Sequence, residues 1–112
     1  MQGLSLGTLV DEQLSIAREH ESGRSASTIH GGREHHLRQT LIALVSGRAL
    51  GEHDSPGEAT LQVLRGRVRL HAGEDAWEGG AGDYLLIPPQ RHDLTALEDA
   101  AVLLTVANRL AD

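Results

Sequence analysis

Histidine is the residue type in this chain that is best suited to chemistry. The 112 residues include seven histidines but no cysteine, and all ten basic residues are arginine, so lysine is absent as well. Imidazole rings bind transition metals and transfer protons near neutral pH. The missing residue types exclude disulfides, zinc–thiolate sites, cysteine nucleophiles and Schiff bases on lysine. His53, which ends a strand-like segment, and His92, which follows the turn at Pro88-Pro89, are the principal candidates.

The segments that must position these histidines are short strands. Runs rich in leucine and valine alternate with glycine-containing turns at intervals of roughly ten residues, which is typical of a β-sandwich or barrel. After the first part of the chain, no segment has the pattern of a helix. The predicted strands are Ala26–His30, His36–Val45, Ala49–His53, Ala59–Leu64, Arg67–Ala72, Ala76–Glu78, Tyr84–Ile87, Asp93–Ala96 and Ala101–Ala107.

The first part of the chain, up to about Ser22, predicts a helix. Thr8 is the expected N-cap, with acidic residues in the first turn, and Gly23 is the expected stop. The predicted apolar stripe of this helix is Leu9, Gln13, Ile16 and Ala17. We therefore divide the chain into an N-terminal helix and linker, residues 1–25, and an all-β domain, residues 26–112.

The alternation of apolar and polar residues predicts that the hairpin centred on Gly66 has an apolar, buried face and a polar, solvent-exposed face, called here the wet face. Three other strands, at residues 41–45, 84–87 and 102–104, are apolar on both faces and need cover on both. We expect the N-terminal helix to cover one of them. A second subunit is the simplest cover for another, which predicts a homodimer.

Two segments of the sequence resemble the two motifs of the cupin superfamily. In the first, five residues separate Gly47 from His53, and Gly66 closes the motif. In the second, the run from Gly82 to Pro89 is followed by His92, one residue closer than is usual in the family. The resemblance extends over residues 37–107 and implies a small single-domain cupin 2 type protein. Such a protein is a double-stranded β-helix, a conical barrel of antiparallel strands with a pocket inside, and is usually dimeric.

The motifs depart from the family pattern at the positions that hold a metal. In cupins with a metal, two histidines and a glutamate of the first motif and a histidine of the second are ligands. Here His53 and His92 occupy two of these positions, whereas Ser55 stands at the second histidine and Ala59 at the glutamate. Glu58 is adjacent, but alternation along a strand points it to the opposite face.

Two imidazoles alone hold a metal weakly, because a catalytic first-row metal needs about three protein ligands and an open position. One hypothesis is that His53 and His92 bind a divalent transition metal (Fe, Mn, Ni or Zn) together with a third residue. The candidates for the third ligand are His30, His35, His36 and Asp93. Without a metal, the two rings would hydrogen-bond to Ser55, Gln39 or water, or would transfer a proton in an isomerase or epimerase.

The interior of such a barrel, lined by leucine, valine and alanine with a few polar groups, suits a small and partly apolar molecule. The leading hypothesis is therefore a small-molecule-binding module, such as a sensor, without strong catalysis. The first alternative is a metal-dependent enzyme of dioxygenase or isomerase type, and the second is a structural module whose barrel is filled by packing. The expected pocket residues are His53, Ser55, Gln39, Leu61, His92 and Trp77.

The charge and hydropathy of the chain limit its partners. Sixteen acidic residues against ten basic ones give a net charge of -6, which argues against binding to nucleic acid through phosphates. The apolar runs are far shorter than the roughly 20 residues that a membrane span requires. No apolar segment typical of a signal peptide follows Met1. We expect a cytoplasmic protein without a nucleic-acid or membrane partner.

Overall fold

A computed structural model describes residues 1–54 and 57–107 of the chain. These residues form one helix and nine strands, and every predicted strand is present with its ends shifted by two residues at most. The elements are α1 (Leu6–Glu19), β1 (Arg24–His30), β2 (Leu37–Leu44), β3 (Ala49–His53), β4 (Glu58–Arg65), β5 (Arg67–Ala72), β6 (Asp75–Gly80), β7 (Tyr84–Leu86), β8 (His92–Ala96) and β9 (Ala100–Ala107).

The strands form two antiparallel sheets that face each other. The five-stranded sheet has the order β1-β2-β9-β4-β7, and the four-stranded sheet has the order β3-β8-β5-β6. Alternate residues of both sheets meet in one apolar core, which includes Val63, Val68 and Val102. The remaining positions of the β4–β5 hairpin form the predicted wet face, where Arg67 and Arg69 pair with Glu78. The predicted all-β class and double-stranded β-helix are therefore confirmed.

The helix begins three residues before the predicted cap. Ser5 is the N-cap, and its hydroxyl oxygen accepts a hydrogen bond from the backbone N–H of Thr8 at 3.2 Å. The prediction of Thr8 as N-cap was wrong, because both hydroxyl residues suit a helix start and the earlier one takes the role. With the helix starting at Leu6, the acidic residues fall beyond its first turn.

The buried face of α1 also differs from the predicted stripe. Val10, Leu14 and Ala17 are the buried residues of the helix, whereas Ile16 is 40% exposed. They pack against Leu41, Ala43 and Ala101, which lie on the outer face of β2 and β9. The expectation that the helix covers a strand that is apolar on both faces is confirmed at β2.

Strand β7 is an edge of the five-stranded sheet, and its outer face has no cover within the chain that the structure describes. Leu85 packs against the core, but Tyr84 and Leu86 are 59% and 63% exposed. This is a strand for which the sequence predicts cover by a second subunit, and the homodimer stays a prediction. No helix among the described residues is long and apolar enough to cross a membrane.

Gly66, the last glycine of the first motif, is required by the turn between β4 and β5. Its φ of +76° lies in the left-handed region. A Cβ added there would lie 2.1 Å from the carbonyl oxygen of Asp99. Only glycine satisfies both conditions without moving the backbone.

Candidate functional site

The structure brings His53 and His92 together. The two residues are paired across β3 and β8, and their ring centroids lie 4.5 Å apart with an angle of 65° between the planes. His92 is 4% exposed and is the buried polar residue of the core, whereas His53 is exposed. The pair therefore connects the interior of the barrel to its solvent-exposed end.

Both rings are oriented by a backbone carbonyl group two residues earlier in the chain. The Nδ1 atom of His53 lies 2.8 Å from the carbonyl oxygen of Gly51, and that of His92 lies 2.8 Å from the carbonyl oxygen of Gln90. Because a carbonyl oxygen only accepts, Nδ1 carries the proton in each neutral ring. The Nε2 atoms are then left as the two lone-pair donors of the site.

The described residues do not supply a third metal ligand next to this pair. Among residues 1–54 and 57–107, no group of three or more His, Asp or Glu side chains could hold a metal ion. His30 instead packs against His35 with ring centroids 4.7 Å apart, and Asp93 contacts His71 across β8 and β5 with 3.3 Å between Oδ1 and Nδ1. Ser55, at the second histidine position of the motif, lies outside the described residues.

A cavity of about 520 Å³ lies beside His53, where the two sheets part at their edge strands β1 and β3. Its floor is apolar and is formed by Ile42, Leu50, Leu104 and Val106. Its other lining residues are mostly polar, namely Ser22, Arg24, Ser25, Ala26, Arg38, Thr40, His53 and Asp54. An apolar floor with polar groups around it is the composition of a small-molecule site.

Of the predicted pocket residues that the structure describes, only His53 lines this cavity. Gln39 lies on the opposite face of β2, where its amide nitrogen donates to the hydroxyl oxygen of Thr105 at 3.3 Å. It lines a separate cavity on that face together with the N-terminal residues, so its expected contact with the two imidazoles was wrong. The cause is the side-chain alternation of a strand, which sends neighbouring residues to opposite faces.

Leu61 and Trp77 also lie away from this cavity. Leu61 is 3% exposed and belongs to the packed core between the sheets. Trp77 lines a different cavity of about 230 Å³, together with Leu70, Leu85 and Pro88. The predicted site therefore combined residues of two separate hollows, one beside His53 and one beside Trp77.

The sequence prediction missed the charged residues of the larger cavity. Arg38 and Thr40 lie on the same face of β2 as Ile42, and Arg24 lies on β1 opposite Leu44. Alternation from Ile42 would have found Arg38 and Thr40. Because residues 41–45 are all apolar, the sequence does not show which of the two faces points inward.

Asp54 is the acidic residue among the described residues of the cavity lining, and Arg91 forms an ion pair with it. Arg91 contacts Oε1 of Glu52 through Nε at 2.6 Å and Oδ1 of Asp54 through Nη1 at 3.3 Å. The hydrogen bond to Glu52, followed by the charge of Asp54, raises the pKa of Arg91. Because Arg91 carries one positive charge against the two carboxylates of Glu52 and Asp54, it compensates the charge of Asp54 only in part.

Solved structures with the same fold are numerous. A cupin superfamily protein from Desulfitobacterium hafniense has a TM-score of 0.77 and 14% identity over 96% of this chain and 92% of its own. A conserved protein of unknown function from Streptococcus pyogenes has a TM-score of 0.72 and 25% identity over 82% of this chain and 80% of its own. KdgF from Halomonas sp. has a TM-score of 0.68 and 18% identity over 80% of this chain and 83% of its own.

Comparison of the sequence itself gives no further relative, since no protein-family model and no curated protein matches it. The structural likeness agrees with the order of the two glycine–histidine motifs and with the antiparallel sheets that hold His53 against His92. This chain therefore has the fold of the small single-domain cupins.

Proposed function

We propose that this cupin is a small-molecule-binding module, of the sensor type, whose ligand occupies the cavity between β1, β2, β3 and β9. The observation that carries the proposal is the cavity itself, which measures about 520 Å³ and has an apolar floor. Ligand sites are typically concave, of roughly 300–1,000 Å³, and mostly apolar with a few placed polar groups. Burial of a ligand's apolar surface on this floor would contribute about 25 cal/mol per Å².

The same cavity argues against a purely structural role. A barrel that serves only as a scaffold would close this space with leucine and valine side chains, as the core does around Val63 and Val102. Instead Arg38 and Thr40 line the open side of β2. Polar groups at an apolar hollow orient a bound molecule and give specificity.

The test is to fill the cavity and to measure binding. Thr40→Trp places an indole ring in the cavity, and Thr95→Trp places the same ring on the outer face of β8 as a matched control. A library of small organic molecules is screened by thermal shift, because a ligand that binds only the folded state raises the melting temperature. We expect the compounds that raise the melting temperature of the native chain to have no effect on Thr40→Trp and the same effect on Thr95→Trp. Hits that survive Thr40→Trp unchanged would contradict the proposal.

A second candidate is metal binding by His53 and His92. It is favoured by the two Nε2 atoms, which the backbone bonds of Nδ1 leave as lone-pair donors on adjacent rings. The donor types fit a divalent transition metal (Fe, Mn, Ni or Zn), but the described residues provide two ligands where a catalytic site needs about three. The residues therefore do not fit a complete catalytic centre, and we derive no catalytic step through a metal.

Metal analysis of gently purified protein separates the two candidates. Metal at a near-stoichiometric level that is lost in both His53→Ala and His92→Ala would favour the metal-dependent enzyme. His71→Ala is the control, because His71 is paired with Asp93 on the outer face. Metal-free protein that still binds the hits of the thermal screen would favour the binding module.

The other expectations about partners and location remain proposals. A homodimer is supported by the exposed Tyr84 and Leu86 on edge strand β7, since exposed apolar side chains and an unpaired strand edge favour association. Light scattering of the native chain and of Leu86→Glu tests it, with a dimer expected for the first and a monomer for the second. A native monomer would overturn it. The cytoplasmic location and the lack of a nucleic-acid or membrane partner are likewise proposed.

A further inference from the structure

We infer that the cavity beside His53 selects an organic anion, an elongated apolar molecule that carries a carboxylate, and that Arg24 and Arg38 are two alternative anchors for that carboxylate, one at each end of the apolar floor. The inference rests on the proposed function, since it names the class of molecule that this cavity takes. Three observations support it: which arginines form ion pairs, which acidic residues lie near the cavity, and where Arg24 and Arg38 lie relative to the apolar floor.

Five of the nine arginines that the structure describes have a carboxylate partner. Among residues 1–54 and 57–107, ion pairs are formed by Arg18, Arg65, Arg67, Arg69 and Arg91. Arg24 and Arg38 form none with the described residues, and both line the cavity. In a chain with a net charge of -6, acidic side chains outnumber the basic ones. Two unpaired guanidinium groups at one cavity are therefore available to an external anion.

None of the described lining residues forms an ion pair with these arginines. Asp54 is the acidic residue of the lining, and its carboxylate is bonded to Arg91. A carboxylate that enters the cavity would therefore meet Arg24 and Arg38 without displacing a carboxylate of the described residues from either of them. A cationic ligand would meet two like charges, which opposes its binding.

The two anchors lie at opposite ends of the apolar floor. Arg24 is paired with Leu44 at the end of β2, and Arg38 lies near the start of the same strand. The rise of a strand separates their backbone positions by about 20 Å. The floor residue Ile42 lies between them along β2. This arrangement fits an elongated molecule with an apolar body and a charged end better than a compact inorganic anion.

The chemistry of the guanidinium group selects a carboxylate. Its planar fork matches the two oxygens of a carboxylate and donates two parallel hydrogen bonds to them. The apolar floor disfavours a fully hydrated anion, because it offers no polar partners to replace the lost water. A carboxylate on an alkyl chain matches both the guanidinium group and the apolar floor, because its head can bind an arginine while its chain packs on the floor.

The experiment compares three ligands of equal length by calorimetry on the full chain, namely octanoate, octanamide and octylamine, with inorganic phosphate as a fourth probe. Because hydrogen bonds to charged groups are worth more than neutral ones, we expect octanoate to bind about tenfold more tightly than octanamide, and octylamine to bind least. The affinity for octanoate should fall as salt rises, whereas that for octanamide should not.

The double variant Arg24→Gln with Arg38→Gln should bind octanoate as weakly as octanamide. Its control is Arg33→Gln with Arg48→Gln, which removes the same charge from two arginines outside the cavity that have no ion pair with the described residues. The control should keep the preference for octanoate. Should the double variant fail to fold, the single variants are measured instead, and the preference for octanoate should fall in Arg24→Gln, in Arg38→Gln or in both; an unchanged preference in both would remove the two arginines as anchors.

Two results would overturn different parts of the account. Equal binding of octanoate and octanamide, or phosphate binding as tight as that of octanoate, would overturn the anion inference and leave the proposed function standing. Failure of all three alkyl ligands together with failure of every compound in the thermal screen would overturn the proposed function itself. An unchanged preference for octanoate in the double variant would remove Arg24 and Arg38 as anchors.

Discussion

The two faces of strand β2 are made of neighbouring residues but have different roles. On one face Leu41 and Ala43 are fully buried beneath α1. On the other face Arg38, Thr40 and Ile42 line the cavity beside His53. Helix α1 packs on the first face, whereas the second face lines the space between edge strands β1 and β3, where the two sheets separate. One strand therefore contributes stability on one side and a candidate binding surface on the other.

The difference between the faces shows why the cavity stays open. Beneath α1, the helix face consists of the apolar side chains of Leu41 and Ala43, which pack against Val10, Leu14 and Ala17. The cavity face has guanidinium and hydroxyl groups, which would lose their hydrogen bonds to water if another element covered them. The polar groups therefore keep this face accessible, and that accessibility is what a ligand site needs.

The largest expected effect is on the helix face. Leu41→Ala removes a side chain that is 0% exposed, and we expect it to lower the free energy of unfolding by about 2–5 kcal/mol. Thr40→Ala, one residue earlier and on the cavity face, should cost less than about 1 kcal/mol. Urea denaturation measures both. Equal losses for the two variants would contradict the assignment of the faces.

A smaller effect is expected where the cavity meets the core. His92 is 4% exposed and its Nδ1–H donates to the carbonyl oxygen of Gln90, so His92→Ala should lower the free energy of unfolding by about 1–3 kcal/mol. His53 makes the corresponding bond to Gly51 but is exposed, so His53→Ala should cost less. Thermal and urea denaturation in the presence of a metal chelator compare them. A larger loss in the free energy of unfolding for His53→Ala than for His92→Ala would contradict this expectation, because it would show that the exposed ring contributes more to stability than the buried one.

The smallest effect is expected at the end of the barrel near the start of β9. The backbone N–H of Ser46, at 2.9 Å from Oδ1, and then Arg18 hold the pKa of Asp99 below its ordinary value of 3.8. Stability from this carboxylate is therefore present above pH 3.8 and is lost as the pH falls through the lowered pKa of the folded state. Asp99→Asn should cost about 1 kcal/mol at pH 7, because it removes the charge from these bonds.

The same comparison at pH 3 completes that test. At pH 3, below the ordinary value of 3.8, Asp99 of the unfolded chain binds a proton, which favours unfolding, so the difference between the two proteins in the free energy of unfolding should narrow. In a chain that also carries Arg18→Gln, the difference in the free energy of unfolding between Asp99 and Asn at position 99 should be smaller at pH 7, since Arg18 is the second partner of the carboxylate. A difference that stays constant from pH 7 to pH 3 would show that the ionised form is not the one that stabilises the fold.

Much of the fold could be predicted from the sequence. The strands were found because glycine-containing turns divide the chain regularly and because the β4–β5 hairpin alternates strictly around Gly66. The start of α1 was missed, because Ser5 and Thr8 are equivalent caps in sequence terms. Its buried face was missed as well, because the sheet partner decides which residues point inward.

The candidate site was predicted only in part. The proximity of His53 and His92 came from the resemblance to the cupin motifs, since residues so far apart in sequence have no local signal of contact. Gln39 was chosen instead of Arg38 and Thr40, because residues 41–45 are apolar at every position and leave the inward face undefined. Trp77 was assigned to the same pocket because the sequence does not reveal that the barrel has two separate hollows.

Amide chemical shifts of the ¹⁵N-labelled chain, followed during a titration with octanoate, test the central claim most directly. We expect saturable shifts at Arg38, Thr40 and Leu104, around the larger cavity, with the indole N–H of Trp77 unchanged. Shifts confined to Trp77 and its neighbours Leu70 and Leu85 would contradict it, because they would place the ligand in the smaller hollow at the other side of the barrel.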